Sequence, residues 1–328
     1  MEPKYIVYLQ KISKNNIEKI MQDAVMEVGL TKRINSDSKI FLKPNLTYPK
    51  YKPGITTSPD IIEALVKVLS DYSKKITIIE SDGGYGTFKA ESAFRGHNLY
   101  EIGKRYGIKI RNLSNEKMEE VNFKVRKGLY KIRFSSILLN EGDIFITMPV
   151  PKIHAMTVLS LGFKNQWGCI PDNMRLRLHH IFNELIVHIN KLLNPYVISD
   201  GKYFLDKNGP MDGEPIKMDL IIAANSVGAF DRYVSELMGI SYKNVPHLRE
   251  AALMGELPDN LSEINYNVHP DINRNQLFEL KRNFRNYIAL AGFNSRFLTW
   301  LGYESWFGKE ILHKLLYLVT SRPIKDDL

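Results

Sequence analysis

The sequence predicts an α/β fold, a mostly parallel sheet with flanking helices, followed by a C-terminal helical appendage. Three observations predict it. Short β-branched runs alternate with amphipathic stretches over most of the chain, the rhythm of βαβ units. One of those stretches opens on Ser58-Pro59-Asp60, where a serine N-cap, a proline at the first helical position and an acid at the positive end of the dipole agree. After about residue 270 the composition turns aromatic and basic, and two of the three tryptophans fall in 276–328.

In chain order, the pattern predicts a strand at Tyr5–Leu9, a helix over 15–28, a strand at Lys39–Lys43, a helix over 59–72 and a strand at Ile76–Glu80. Further strands are expected at 108–112, 143–149, 196–199 and 218–224. Antiparallel pieces are expected around 121–134, punctuated by Gly128 as a hairpin turn. A long helix is expected over 174–193, ending before Pro195 because the residue ahead of a proline is pushed out of the helical region. No internal repeat is present. The division is an α/β ligand-binding domain over 1–268 and an appendage of two or three helices over 269–328. The appendage suits a lid or an oligomer contact. Its basic residues beside Trp and Phe also suit peripheral membrane contact through 276–328, although the aliphatic run Ile311–Val319 is too short to span a bilayer.

With 328 residues, 44% hydrophobic and 25% charged, the chain carries enough apolar material for a sizeable core, which excludes fibrous and wholly disordered classes. The net charge of +9 suits an acidic small molecule or a membrane surface. The positive charges are scattered and no zinc-finger, helix-turn-helix or RNA-recognition pattern occurs, so no sequence-specific nucleic-acid partner is expected. Cys169 is the single cysteine. It rules out an intramolecular disulfide, a thiolate zinc site and an iron–sulfur cluster held by this chain alone. Without a secretory apolar stretch, the expected compartment is the cytoplasm, at a membrane periphery if the appendage docks there.

Open parallel sheets bind ligands beyond the carboxyl ends of their strands, and unusual polar residues follow these strands repeatedly. Lys43-Pro44-Asn45, with Thr57 and Ser58 at the next helix start, combines an ammonium, hydroxyls and free N–H groups into an anion cradle. The segment from Glu80 to Gly86 is a glycine-rich turn that carries Asp82 and lets backbone approach a ligand; it lacks the full dinucleotide-binding spacing. Pro149-Val150-Pro151 leads to Lys152-Ile153-His154, which on an extended segment puts the lysine and the histidine on one face. Lys164-Asn165 lies between Gly162 and Gly168 in an apolar frame that desolvates the lysine and lowers its pKa. His180, Glu184 and His188 fall at i, i+4 and i+8, compatible either with metal ligation or with a polar helix face. Asp200 and Asp231 follow further strands beside small residues, each suited to a turn, a cap or a charged cleft.

Taken together, Lys43-Pro44-Asn45, Thr57-Ser58-Pro59, Lys152-x-His154, Ser160, Lys164-Asn165, Gly168, His179, Asp200-Gly201, Gly209-Pro210-x-x-Gly213 and Asp231 resemble domain-of-unknown-function family 362 over roughly 40–240. Members of that family often carry a ferredoxin-like pair of iron–sulfur motifs, which the lone Cys169 does not supply. More distantly, His154, Lys164 and either His179 or His180 are similar in order to the nickel-pincer lactate racemase family. That resemblance implies a lysine-attached organometallic cofactor, histidines as nickel ligands or acid/base groups, and 2-hydroxy-acid substrates.

The resulting expectation is an enzyme acting on a small anionic substrate, a carboxylate or a phosphate ester, by metal-assisted proton transfer such as racemisation or epimerisation. His154, Lys164, His179 and His180 are its expected catalytic residues. Lys43, Asn45, Thr57, Ser58, Asp82, Lys152, Asn165, Asp200 and Asp231 are expected to bind substrate, and His154, His180 and Glu184 a divalent metal. The alternatives are a non-catalytic metal- or cofactor-binding accessory protein and an interaction protein docking through its C-terminal helices. The sequence names neither substrate nor oligomeric state, and a homo-oligomer is compatible with it.

Overall fold

In the computed structural model, residues 4–13, 16–273, 278–312 and 314 are described; the end of the run Ile311–Val319 and of the appendage lies outside them. The strands are β1 (Tyr5–Lys11), β2 (Ile40–Pro44), β3 (Ile76–Glu80), β4 (Lys109–Asn112), β5 (Met118–Val125), β6 (Gly128–Ser135), β7 (Ile144–Met148), β8 (Lys152–His154), β9 (Val158–Ser160), β10 (Tyr196–Asp206), β11 (Glu214–Ala224) and β12 (Ile264–Tyr266). The helices are α1 (Ile17–Glu27), α2 (Pro59–Ser70), α3 (Ala90–Gly96), α4 (Leu99–Tyr106), α5 (Ser136–Asn140), α6 (Gly162–Asn165), α7 (Phe182–Leu193), α8 (Val227–Leu237), α9 (Pro246–Leu253), α10 (Phe284–Asn294) and α11 (Arg296–Tyr303).

The main sheet runs β12-β1-β11-β10-β7-β2-β3-β4, and β8 joins β10 while β9 joins β8. The pairs among β10, β7, β2, β3 and β4 are all parallel, as the alternation predicts. β1 departs from that rhythm: it lies antiparallel to β11, with Val7 opposite Ala224, instead of beside β2. Successive strand residues alternate between two apolar layers. Ile40, Leu42, Ile76, Ile78, Ile144 and Ile146 pack with α1, α2, α3 and α4, whereas Phe41, Ile79 and Phe145 belong to the layer of α7, α8 and α9. The result is a helix–sheet–helix sandwich.

Three local expectations need correction. The helix expected over 174–193 is broken: Arg175–Ile181 is a 3-10 segment, and α7 begins at Phe182. Three residues per turn replace 3.6 ahead of Phe182, so His180 does not share a helix face with Glu184 and His188. The strands expected at 196–199 and 218–224 are the inner halves of long partners, β10 and β11, which pair antiparallel out to Asp206 and Glu214. Ser58 occupies the N-cap of α2 but its hydroxyl makes no cap bond; it donates to Asp200 Oδ2 at 2.6 Å, as does the Ser58 N–H. A buried carboxylate 142 residues away thus caps the helix in place of the local serine. The hairpin is where Gly128 puts it, with Val125 opposite Gly128 between β5 and β6.

Among the described residues no helix is long and apolar enough to cross a membrane. The appendage packs α10 and α11 on the Arg175–Ile181 segment: Phe293 stacks on His179 at 4.3 Å, and Arg177 pairs with Glu304 at 3.4 Å.

Candidate functional site

Beyond the carboxyl ends of β2 and β3 lies a cavity of about 370 Å³, within the usual size range for small-molecule sites. Its walls include Lys43, Glu80, Lys152, Lys164, Asn165 and Arg175. Lys43 ends β2 and Glu80 ends β3, and their buried side chains pair at 2.7 Å. Gly168 lies flat against this pair. A Cβ there would come within 2.7 Å of Glu80 Oε1 and 3.0 Å of Lys43 Nζ, so only glycine leaves the pair room.

Lys152 enters from the opposite side on β8, a three-residue strand tied to β10 through Leu205. Pro149 and Pro151 bring no donors of their own; their carbonyls accept from Asp200 N–H and Leu205 N–H at 3.1 Å each. Lys152 is 1% exposed, and among the described residues Nζ donates only to the Ile55 carbonyl, at 2.5 Å. Burial first, and then the charge of Lys164, bring its pKa down from 10.5 to about 7, against the pull of Asp200. His154, two residues on, accepts on Nδ1 from Met156 N–H at 3.1 Å. That bond places the proton of the neutral ring on Nε2. Burial, then Lys164 and Lys152, hold His154 far below 6.5 and hence neutral at pH 7.

Lys164 sits on the single turn α6, which is fixed by amides and one carboxylate. Asp231 accepts from Gly162 N–H at 2.7 Å and Phe163 N–H at 3.2 Å, and burial raises its own pKa well above the carboxylate range. Asn165 donates to the Lys43 carbonyl and Thr147 Oγ1. Gln166 donates to the Gly162 carbonyl and to Asn190 Oδ1, and Asn190 donates back to the Phe163 carbonyl. Every polar side chain around Lys164 on this turn is spent on holding it; Lys164 itself has no hydrogen-bond or ion-pair partner among the described residues. Part of its surface faces the cavity. Burial, then Arg175, lower it from 10.5 to about 8.

The other expected residues divide clearly. His179 lies against the site, stacked between Trp167 at 5.6 Å and Phe293 at 4.3 Å, and burial followed by Lys164 brings it to about 3. Thr57 Oγ1 accepts from Asn45 N–H and donates to the Met148 carbonyl, so it joins β2 to β7. Asp82 is held by Lys89, Ala90 N–H and Asn112 and faces a neighbouring hollow. Asp200 is spent on Ser58 and the Lys202 N–H. His180 points away: Nδ1 meets the Arg177 carbonyl at 2.8 Å and Nε2 meets Tyr130 Oη at 3.1 Å. Glu184 accepts from Arg126.

The metal set His154, His180 and Glu184 therefore needs correction. No group of three His, Cys, Asp or Glu side chains among the described residues could share an ion, because the 3-10 turn rotates His180 outward and Arg126 engages Glu184. The donor set of the organometallic group implied by the racemase resemblance is likewise incomplete, since His179 is stacked between aromatic rings and His180 is on the far side.

Two site residues, Glu80 and Arg175, and one buried histidine under the influence of Lys164 escape the sequence. Glu80 was visible only as the end of a strand. Arg175, 8% exposed, donates to the Ile170 and Asp82 carbonyls at 2.9 and 3.0 Å and so fastens the glycine-rich turn. His247 on α9 is fully buried, with neither ring nitrogen bonded among the described residues, and burial followed by Lys164 brings it to about 3. No local pattern marks a single histidine in a helix.

Residues 40–236 match the model of a family described as a domain of unknown function, DUF362. The chain belongs to DUF362. All the cavity residues named above lie within the DUF362 match, while His247 and the appendage lie beyond it. A thylakoid-associated protein of Synechocystis sp. is 24% identical over 247 residues, covering 70% of this chain and 72% of that protein. Among solved structures, a Thermotoga maritima protein is similar with a TM-score of 0.44 and 11% identity over 75% of this chain and 60% of its own. The lactate racemase apoprotein of Thermoanaerobacterium thermosaccharolyticum is similar with a TM-score of 0.43 and 13% identity, over 78% of this chain and 58% of its own. The chain thus spans about three-fifths of the length of these two solved chains.

Proposed function

We propose that this DUF362 protein binds a small anion, a carboxylate or a phosphate ester, between Lys152 and Lys164 and moves a proton on it. One observation carries the reading: two lysines enclosed by protein face one cavity, and among the described residues neither has a carboxylate partner. Burying an uncompensated ammonium is costly, and a ligand anion supplies the missing charge. The same burial tunes the chemistry. A lysine near 8 is present in both protonation states at neutral pH, which is what general acid–base catalysis requires.

In the step we favour, neutral Lys164 takes a proton from the carbon next to the substrate's carboxylate. The ammonium so formed, with Lys152, holds the negative charge that develops. Return of a proton to the other face, from the Lys152 ammonium, inverts the centre and leaves Lys152 neutral and Lys164 charged, the state from which the reverse reaction starts; return from Lys164 restores the original centre. In line with the name of the thylakoid-associated relative, we place the protein at a membrane periphery.

Calorimetry of the full chain with oxalate, lactate, inorganic phosphate and simple phosphate esters tests the binding step. At least one should bind, and Lys164→Met and Lys152→Met should each abolish it. Failure of every anion to bind, or undiminished binding by both variants, would sink the proposal. Proton transfer is read separately, as deuterium uptake at carbon 2 of a bound hydroxy acid in D2O. Binding without uptake assigns a carrier of the anion rather than an enzyme.

A further inference from the structure

Helices of a folded domain normally turn their apolar stripe inward. α10 has an apolar stripe turned outward. Phe284, Tyr287, Ile288 and Ala291, at i, i+3, i+4 and i+7, are all exposed, the first three at 78%, 58% and 59%. Only Phe293 on the opposite side is buried. α11 repeats the pattern, with Phe297 63% and Trp300 48% exposed while Thr299 is buried. Trp306 and Phe307 in the next turn are 71% and 46% exposed. Eight of the fifteen large apolar side chains exposed among the described residues fall between 284 and 307. Concentration on that scale marks a contact surface, whereas scattered exposed apolar residues are ordinary.

The charge around the stripes selects the occupant. Arg285 and Arg296 are exposed and have no carboxylate partner among the described residues. Lys281 and Lys309 flank them, and the two acids of 281–310 are already engaged, Glu304 by Arg177 and Glu310 by Lys314. Short helices that combine exposed Trp, Tyr and Phe with arginine and lysine fit the headgroup region of a negatively charged bilayer.

We infer that the outer face of α10, α11 and the turn after them lies on an anionic lipid surface, which specifies the membrane contact proposed above. It rests on the surface of 284–307 and not on the ligand chemistry of the cavity. The inner face of the same element touches the site, because Phe293 covers His179 and Arg282 donates to the Ala155 carbonyl at 2.6 Å. Docking therefore sets the cavity beside the bilayer.

The test is flotation of the full chain with vesicles of phosphatidylcholine alone and of phosphatidylcholine mixed with phosphatidylglycerol. Binding is expected only to the mixed vesicles, weakening as salt rises. F297S/W306S should lose about tenfold or more in partitioning, and R285E/R296E should lose the preference for phosphatidylglycerol. Both pairs lie on the surface, so an unchanged unfolding midpoint certifies the fold. Trp300 and Trp306 should shift their emission to the blue on binding. No binding of the parent chain to anionic vesicles, or parent-like binding by both variants, overturns the inference. So does a stable dimer by light scattering that F297S/W306S dissociates, which assigns the face to a second copy of the chain.

Discussion

The two sides of the cavity treat buried positive charge in opposite ways. On the β2–β3 side Lys43 meets Glu80 at 2.7 Å and also donates to the Pro44 carbonyl at 2.9 Å. On the β8–α6 side, among the described residues, Lys152 has one carbonyl and Lys164 has no hydrogen-bond or ion-pair partner, although Asp200 and Asp231 are buried as well. Those two carboxylates are spent on backbone N–H groups, at Ser58 and at Gly162 and Phe163. A fold that needed only stability would have compensated both sides. The contrast separates charge that builds the site from charge held for a ligand.

Breaking the compensated side should cost most. Glu80→Gln leaves the buried Lys43 ammonium alone and is expected to destabilise by about 3–5 kcal/mol, read by chemical denaturation. Adding Lys43→Met should recover a large part of that loss; no recovery would mean the pair is not coupled. On the uncompensated side the sign reverses. Lys152→Met is expected to stabilise the ligand-free protein by about 1–4 kcal/mol while removing anion binding, and a loss of stability would show Lys152 to be structural.

The pH profile sharpens the same contrast. Lys152 near 7 and Lys164 near 8 in the folded chain are both near 10.5 when unfolded. Below about 7 both lysines are protonated in both states and their full burial cost is present. Between the folded values and 10.5 the unfolded chain holds more protons, so stability rises with pH across that window. Lys152→Met and Lys164→Met combined should flatten the rise in thermal midpoint between pH 7 and 10, provided samples are free of ligand. The smallest effect is expected from His180→Ala, which removes a surface contact to Tyr130: about 1 kcal/mol or less, with anion binding intact. Lost binding in that variant would return His180 to the site.

Much of this site was legible in the chain because ligands gather beyond the carboxyl ends of parallel strands, and Lys43, Lys152, Lys164 and Asn165 all line the cavity. Thr57, Ser58, Asp200 and Asp231 were legible as polar residues in the right places, yet their bonds make them supports, since a hydroxyl or carboxylate serves backbone donors as readily as it serves a ligand. The shared face expected for His180 and Glu184 depends on a continuous helix from 174, which the 3-10 turn at Arg175–Ile181 breaks.

The sequence by itself determined the layered α/β arrangement, the order of the parallel strands' residues of interest, the appendage and the family, because strand and helix periods and short motifs are local or linear properties. Tertiary structure alone decided which charges are paired. Glu80 reaches Lys43 across 37 residues, Arg175 reaches the glycine-rich turn, and His247 arrives on a helix beyond the family match. An ion pair depends on distance and desolvation, and neither is a property of the residue's place in the chain.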